Sequence, residues 1–283
     1  MSRFVAAVGA ALACSLWVSS PLGAEPQRPG PGGPYHARRL VMSQYSLMLI
    51  NGPLSGAAFG NRIGDQNIDG GIFFTRSEPL RPDVPVTLGF YGGAVIGLLP
   101  NLELGALFIP AEVVGANNFQ VQPVPVILTY ALSFGDVDVG ARLGLHLGAP
   151  AKLLPAVPVR VRVGRTRVDT GIFPSVRFLP DAEGGTVAGL NAPVRVAYNL
   201  TPHWFVGLES GFAEPAFTVD HDEVIPFGLL GGWTFLWGPR VVDITTSFVW
   251  DNFLFVDPSS GRDAIQPGFF RANVGINIQQ QVL

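Results

Sequence analysis

The segment from Val137 to Leu147 reads VDVGARLGLHL, and its residues alternate in character at every position. Valine, alanine and leucine occupy one set of alternate positions, while aspartate, glycine, arginine and histidine occupy most of the other. Successive side chains of a β-strand point to opposite faces of the sheet. The segment is therefore predicted to be a strand with one apolar face and one polar, charged face.

Similar alternation recurs in runs of roughly ten residues, the length of a strand that crosses a membrane. We predict twelve strands, at 38–50, 84–98, 102–113, 120–134, 136–149, 156–165, 168–179, 187–199, 203–213, 224–237, 240–254 and 267–280. Short connections with turn residues are predicted at 100–101, 135, 165–167, 201–202 and 238–239. Longer ones lie between them, at 51–83, 114–119, 150–155, 180–186, 214–223 and 255–266. Short turns on one side and longer loops on the other are typical of bacterial outer-membrane barrels.

The composition argues against helices and against nucleic-acid binding. Hydrophobic residues make up 48% of the chain and charged residues 14%, with 35 glycines and 25 prolines. Glycine and proline disfavour helix interiors, and no apolar run beyond the N-terminus reaches the roughly 20 residues that a spanning helix needs. The net charge of −3 lacks the basic excess expected of a nucleic-acid-binding protein.

The N-terminus has the pattern of a secretory signal. A charged start is followed by the apolar run 4–18 and by small residues up to Ala24, after which we expect cleavage. An uncleaved anchor is the alternative, although the run is short for a membrane span. The only cysteine, Cys14, falls inside this run, so the exported chain is expected to have no thiol. The expected organisation is a signal peptide at 1–24, a flexible periplasmic leader at 25–37 and a barrel at 38–283.

The same alternation would also fit a soluble, exported β-sandwich, in which the apolar faces would point inward. Aromatic placement favours the membrane barrel: Phe134, Tyr198, Trp204 and Trp237 all lie beside short turns on apolar faces. Aromatic residues concentrate at the two membrane interfaces of transmembrane barrels. The predicted fold is an all-β, antiparallel, up-and-down transmembrane barrel of about twelve strands.

Several segments carry a resemblance to a known class. The stretches GLLPNLELGALF and VAYNLTPHWFVGLESGF, together with the alternating segment 269–278, resemble Gram-negative outer-membrane β-barrel proteins of the broad porin-like and transporter-like superfamily. The resemblance implies location in the outer membrane, contact with its lipid, assembly by the barrel-assembly machinery and passage of small solutes, and it allows a homo-oligomer. One departure is the C-terminus, where such barrels usually end in an aromatic residue and this chain continues to Leu283.

A carboxylate recurs in the predicted strand that follows each short turn. The segments are LELGAL at 102–107, VDVGAR at 137–142, VDTGIF at 168–173, GLESGF at 207–212 and VDITTS at 242–247. Alternation places these carboxylates on the inward face, as Glu103, Asp138, Asp169, Glu209 and Asp243. Inward arginines are predicted at Arg142, Arg160, Arg162, Arg177, Arg195 and Arg271. These eleven residues either line a water-filled pore and select solutes by charge, or pair with one another and fill a narrow lumen.

The segment from Asp65 to Gly70, DQNIDG, matches the start of a calcium-binding loop. Asp65, Asn67 and Asp69 would supply oxygen ligands, the kind that calcium prefers. The twelfth position of the motif is Arg76, where a bidentate glutamate is expected, so an ordinary polar loop is the alternative. Calcium is the one cofactor that the sequence suggests.

An enzymatic function is not expected. The four histidines are His36, His146, His203 and His221, and no serine is placed convincingly as a nucleophile near His221. We expect an outer-membrane channel or transporter for passive passage of small solutes. The alternative is a filled structural or interaction barrel whose outer loops bind a partner or a surface polysaccharide.

Overall fold

A computed structural model describes most of the chain beyond residue 65, and all of its regular elements are strands. The described residues are 66–76, 87–99, 102–107, 111–114, 118–121, 124–147, 151–179, 185–201, 203–214, 223–237, 240–255 and 270–280. The strands are β1 (Gln66–Arg76), β2 (Thr87–Leu99), β3 (Leu102–Leu107), β4 (Ala111–Val114), β5 (Asn118–Val121), β6 (Val124–Phe134), β7 (Val137–Leu147), β8 (Ala151–Val163), β9 (Thr166–Phe178), β10 (Thr186–Asn199), β11 (Trp204–Glu214), β12 (Val224–Trp237), β13 (Arg240–Phe255) and β14 (Phe270–Gln280). No helix in this described part is long and apolar enough to cross a membrane.

Twelve of the strands form a continuous ring of pairings. From β6 to β14 each strand pairs antiparallel with the next one in the chain, and β6 pairs with β3, which pairs with β2. Strand β1 pairs with β14 over its whole length and also with β2, which joins the two ends of this order. Strands β4 and β5 make a hairpin that extends the sheet from β2. The described strands therefore form an antiparallel barrel, as the alternation predicted.

The structure corrects the first of the predicted long loops. Strand β1 lies inside the segment 51–83, which was predicted to be an outer loop because it is rich in glycine, asparagine and aspartate. Its backbone groups pair with a neighbour on each side, and these pairings override the weak strand propensity of its residues. The strand predicted at 38–50 lies outside the described residues.

Other predicted boundaries move by a few residues. The strands predicted at 102–113 and 120–134 are each divided in two, giving β3 with β4 and β5 with β6. Strand β8 begins at Ala151, so most of the loop predicted at 150–155 is strand, and Pro155 lies directly opposite Leu143. The turn predicted at 165–167 is instead formed by Gly164 and Arg165.

Two prolines within strands lie opposite glycines with an unusual backbone. Pro158 pairs in register with Gly171, and Pro193 pairs with Gly211. The two glycines have φ angles of 153° and 148°, which residues with a side chain rarely adopt. A Cβ atom on either would come within 2.6 Å of a backbone oxygen of the opposite strand. Because glycine has no Cβ atom, the two strands can approach each other closely at each of these prolines.

The two faces of the sheet reverse the usual arrangement of a soluble protein. Large apolar residues on the outer face are exposed, among them Leu128, Leu143, Val196, Leu208 and Ile276. The four aromatic residues predicted beside short turns are also exposed, by 40% to 60%. Polar and charged residues are buried on the opposite, inner face. In water this arrangement would leave a broad apolar surface uncovered, whereas in a bilayer lipid covers it.

Candidate functional site

Five charged residues of alternating sign lie side by side across five neighbouring strands. In register order they are Asp138 on β7, Arg160 on β8, Asp169 on β9, Arg195 on β10 and Glu209 on β11, and we call them the charge row. Each is directly opposite the next, an arrangement in which opposite charges stabilise a sheet. The exposed fraction of each is 2% or less.

Short ion pairs connect the members of the charge row. Arg160 Nε lies 2.9 Å from Asp169 Oδ1, and Arg195 Nε lies 2.8 Å from Glu209 Oε2. Asp138 is held by Arg162, two residues beyond Arg160 on β8, since Arg162 Nη1 lies 2.7 Å from its Oδ2 and Arg162 Nη2 donates to its Oδ1 at 2.8 Å. Partners at this distance offset part of the cost of burying each charge.

Arg167 belongs to the same network although the sequence prediction placed it in a turn. It lies in β9, is 0% exposed, and its Nε is 2.5 Å from Asp169 Oδ2. Asp169 therefore accepts from two arginines, one on each carboxylate oxygen. Arg167 lies two residues before Asp169, so alternation alone would place it on the inner face. The predicted strand began two residues too late and left Arg167 in the turn.

Two further polar groups occupy the inner face away from the charge row. Glu103 lies opposite Thr129, and Thr129 lies opposite Arg142, whose Nε is 3.4 Å from the hydroxyl of Thr129. On the other side of the ring, the hydroxyl of Thr234 donates to Asp243 Oδ1 at 2.5 Å. Threonine hydroxyl groups thus bond to charged residues of the inner face at both places.

All eleven residues predicted to face the lumen lie on the inner face of the sheet. Eight of them are exposed by 9% or less, namely Glu103, Asp138, Arg160, Asp169, Arg195, Glu209, Asp243 and Arg271. The other three, Arg142, Arg162 and Arg177, are half-buried. In the sequence, Glu209 lies several residues further from its short turn than the other carboxylates do. The stagger between strands instead places it directly opposite Arg195.

Only part of the predicted calcium-binding segment lies among the residues that the structure describes. Asn67 and Asp69 lie in β1, while Asp65 lies outside the described residues. Among the described residues, no group of three or more His, Cys, Asp or Glu side chains is arranged to hold a metal ion.

The described part of the inner face therefore offers charge and hydrogen bonding. Arginine forks and carboxylates can attract, orient or repel charged solutes, and they can also cross-link the wall. The strongest concentration of positive charge is on β7 to β9, which carry Arg142, Arg160, Arg162, Arg167 and Arg177. The described parts of these strands carry two inner carboxylates, Asp138 and Asp169.

Comparison with known proteins identifies the fold. Neither a protein-family model nor a curated protein matches the chain. Among solved structures, an outer-membrane channel from Pseudomonas putida F1 matches with a TM-score of 0.52 and 12% identity, over 80% of this chain and 99% of that one. The NanC porin matches with a TM-score of 0.50 and 10% identity, over 77% of this chain and 100% of that one. The chain folds as an antiparallel β-barrel of the outer-membrane type.

Proposed function

We propose that the protein is an outer-membrane channel for passive passage of small solutes, with a preference for anions. The observation that carries the proposal is the combination of an apolar, exposed outer face with an inner face on which arginines outnumber carboxylates along β7 to β9. Charges that line a narrow lumen act on permeating solutes more strongly than they would in bulk water, because the surrounding wall has a low dielectric constant.

A second basic group supports the same preference at the other end of these strands. His146, Lys152 and Arg177 lie directly opposite one another on β7, β8 and β9. All three are half-buried and lie near the ends of the strands with longer connections, which face outward in bacterial barrels. Positive charge at that mouth would raise the local concentration of anions before they reach the charge row.

The charge row would set the narrowest part of the path. Its five side chains are almost completely buried, so a solute could pass that level only if ion-paired side chains moved aside. Twelve strands enclose more space than the eight whose side chains fill a barrel, and less than the sixteen of an open porin. The proposal is therefore a selective, restricted channel rather than a wide pore, and it includes no catalytic step.

A filled structural or interaction barrel is the second candidate, and the same burial favours it. Next to the charge row, Ala197, Phe205 and Leu230 form a small apolar cluster on the inner face. Apolar side chains and neutralised ion pairs in contact are what a packed interior contains. In this case the outer loops would carry the function, by binding a partner or a surface polysaccharide.

Planar-bilayer recording of the full chain distinguishes the two candidates. A channel gives discrete current steps and, in a salt gradient, a reversal potential that indicates anion preference. Replacing Arg160→Ala and Arg162→Ala together should shift that preference towards cations, because Asp138 would lose Arg162 and Asp169 would lose Arg160, one of its two arginine partners. Arg240→Ala is the control, since Arg240 lies at a strand end, 5.4 Å from the Trp237 ring, and away from the charge row.

The folded state must be verified in the same samples, by the difference in gel migration between the unheated, folded barrel and the heat-denatured chain, or by an equivalent assay. Well-folded protein that carries no current would rule out the channel and leave the filled barrel. A current without ion preference, or a preference that the double substitution leaves unaltered, would mean that Arg160 and Arg162 do not set the ion selectivity of the channel.

A further inference from the structure

Two arginines face each other directly within the inner wall. Arg162 on β8 pairs in register with Arg167 on β9, close to the turn that joins these strands. Like charges directly opposite on neighbouring strands destabilise a sheet. Arg167 is 0% exposed and the side chain of Arg162 is 14% exposed, so water screens their repulsion only weakly. The arrangement calls for negative charge between or beside them.

The hydrogen-bond donors of these two arginines are only partly used. Arg167 donates through Nε to Asp169, while its Nη1 and Nη2 are buried and have no acceptor among the described residues. Arg162 uses Nη1 and Nη2 on Asp138 and the carbonyl of Gly135, while its Nε is buried without an acceptor. Buried donors, charged ones above all, are normally satisfied. Three buried donors on two facing residues therefore have no acceptor among the described residues.

The local charge balance gives the sign and the magnitude of the charge that such a ligand would carry. Arg160, Arg162 and Arg167 carry three positive charges, and Asp138 and Asp169, the carboxylates paired with them, carry two negative ones. A single negative charge would balance these five ion-paired groups. Asp136, in the turn before β7, also attracts Arg162, but it is exposed to solvent and therefore more strongly screened. A planar guanidinium fork with both terminal nitrogens open matches the two oxygens of a carboxylate better than it matches a spherical ion.

We propose that Arg162 and Arg167 form a binding site for one carboxylate group at the short-turn end of the barrel. Arg167 would bind both carboxylate oxygens through Nη1 and Nη2, and Arg162 would add a donor through Nε. Asp169 positions Arg167 by accepting from its Nε. Because Arg167 is buried, the site takes a small monocarboxylate, or the carboxylate end of a narrow solute. Binding at this site does not require that the barrel conduct ions.

Calorimetric titration with sodium formate tests the site, using the full chain folded in detergent micelles. Formate replaces chloride at constant ionic strength, so that general screening by salt does not change during the titration. We expect saturable binding of one formate per chain. Arg167→Gln should lower the affinity roughly tenfold or more, because it removes the charge and the fork. Arg271→Gln is the matched control, an inward arginine buried to a similar extent whose register neighbours are Val249 and Thr75.

A second variant separates charge from geometry and protects the test against misfolding. Arg167→Lys keeps the positive charge but loses the fork, so formate binding should weaken roughly tenfold while a folded barrel is retained. The wild-type titration alone can overturn the proposal: an absence of saturable formate binding would mean that ordered water satisfies the three donors. Unaltered affinity in Arg167→Lys or Arg167→Gln would also overturn it. Because the titration measures binding, its result can be interpreted even if the barrel conducts no current.

Discussion

Asp169 is the residue on which most of the inner network depends. Its two oxygens accept from Arg160 and Arg167, and it is 1% exposed. A buried carboxylate with two arginine partners has its charge compensated, whereas the same arginines without it would be buried cations that have lost their nearest counter-charge. The network should therefore be more sensitive to loss of Asp169 than to loss of any single arginine.

Replacing Asp169→Asn should lower the free energy of unfolding by about 3–5 kcal/mol, the range for breaking one side of a buried ion pair. The neutral amide keeps the shape of the side chain, so the loss would come from charge rather than from a cavity. Urea unfolding of the barrel in phospholipid vesicles, followed by tryptophan fluorescence, measures it. An effect below about 1 kcal/mol would mean that the pairs contribute no more than exposed ones do.

Asp243 offers a matched control with the opposite expectation. It is 2% exposed, its Oδ1 accepts from Thr234, and its Oδ2 has no hydrogen-bond partner among the described residues. Directly opposite lies Asn277, whose Oδ1 also has none. Asp243→Asn removes a poorly compensated buried charge and offers Asn277 a donor, so it should leave the stability unchanged or raise it.

At this scale the sequence predicts which residues face inward but not which ones pair. The period of two in a strand is enough to place Glu103, Asp138 and Asp169 on one face. Pairing depends on the stagger between strands, which alternation along a single strand does not contain. This is why the sequence alone does not show that Glu209 lies opposite Arg195. The contact between Arg167 and Asp169, within one strand, was missed because the turn boundary was placed too late.

Close packing between β11 and β12 shows how glycine permits large side chains inside the barrel. Phe205 is 3% exposed and lies directly opposite Gly232. A Cβ atom on Gly232 would meet the Phe205 ring and would lie 2.5 Å from the carbonyl oxygen of Ile244. The ring therefore occupies space that any other residue at position 232 would need.

Gly232→Ala should destabilise the barrel by about 1–3 kcal/mol, the usual cost of overpacking a well-packed interior. Its neighbour Gly231 lies on the outer face, where the nearest atom to an added Cβ is 3.4 Å away. Gly231→Ala should therefore have little effect, although both changes add one methyl group to the same strand. Equal losses in the two variants, in the same unfolding assay, would show that strand propensity rather than packing sets the cost.

The elements differ in how well local sequence predicts them. Strands β7 to β14 alternate strongly, and the predictions for them are confirmed except for boundaries, as at β8 and its turn. Strand β1 was missed because DQNIDGG has the composition of a turn, and its pairings with β14 and β2 join residues far apart in the chain. Such long-range pairing is tertiary information, and it outweighs local propensity.

For the whole molecule, the exposed apolar face is the feature with the largest energetic consequence. Around the ring it presents leucine, valine and isoleucine on the middle of the strands and aromatic residues beside the short turns. Trp204 and Trp233 stack with ring centroids 6.2 Å apart at the start of β11. This arrangement matches an apolar band edged by an aromatic girdle, so the position of a residue along its strand should correspond to its depth in the bilayer.

Arginine substitutions on the outer face test that correspondence. Leu208 is 50% exposed near the middle of β11, and Val163 is 68% exposed at the end of β8, beside the Gly164–Arg165 turn. Leu208→Arg should cost about 2–4 kcal/mol of unfolding free energy in phospholipid vesicles, as expected near the bilayer midplane, and Val163→Arg about 0–1 kcal/mol. Both residues have the same exposed, apolar character in the isolated protein, so only a surrounding bilayer makes the two costs differ. Equal costs in vesicles would mean that the apolar face is not a membrane-spanning band, and the soluble sandwich would then explain the alternation better.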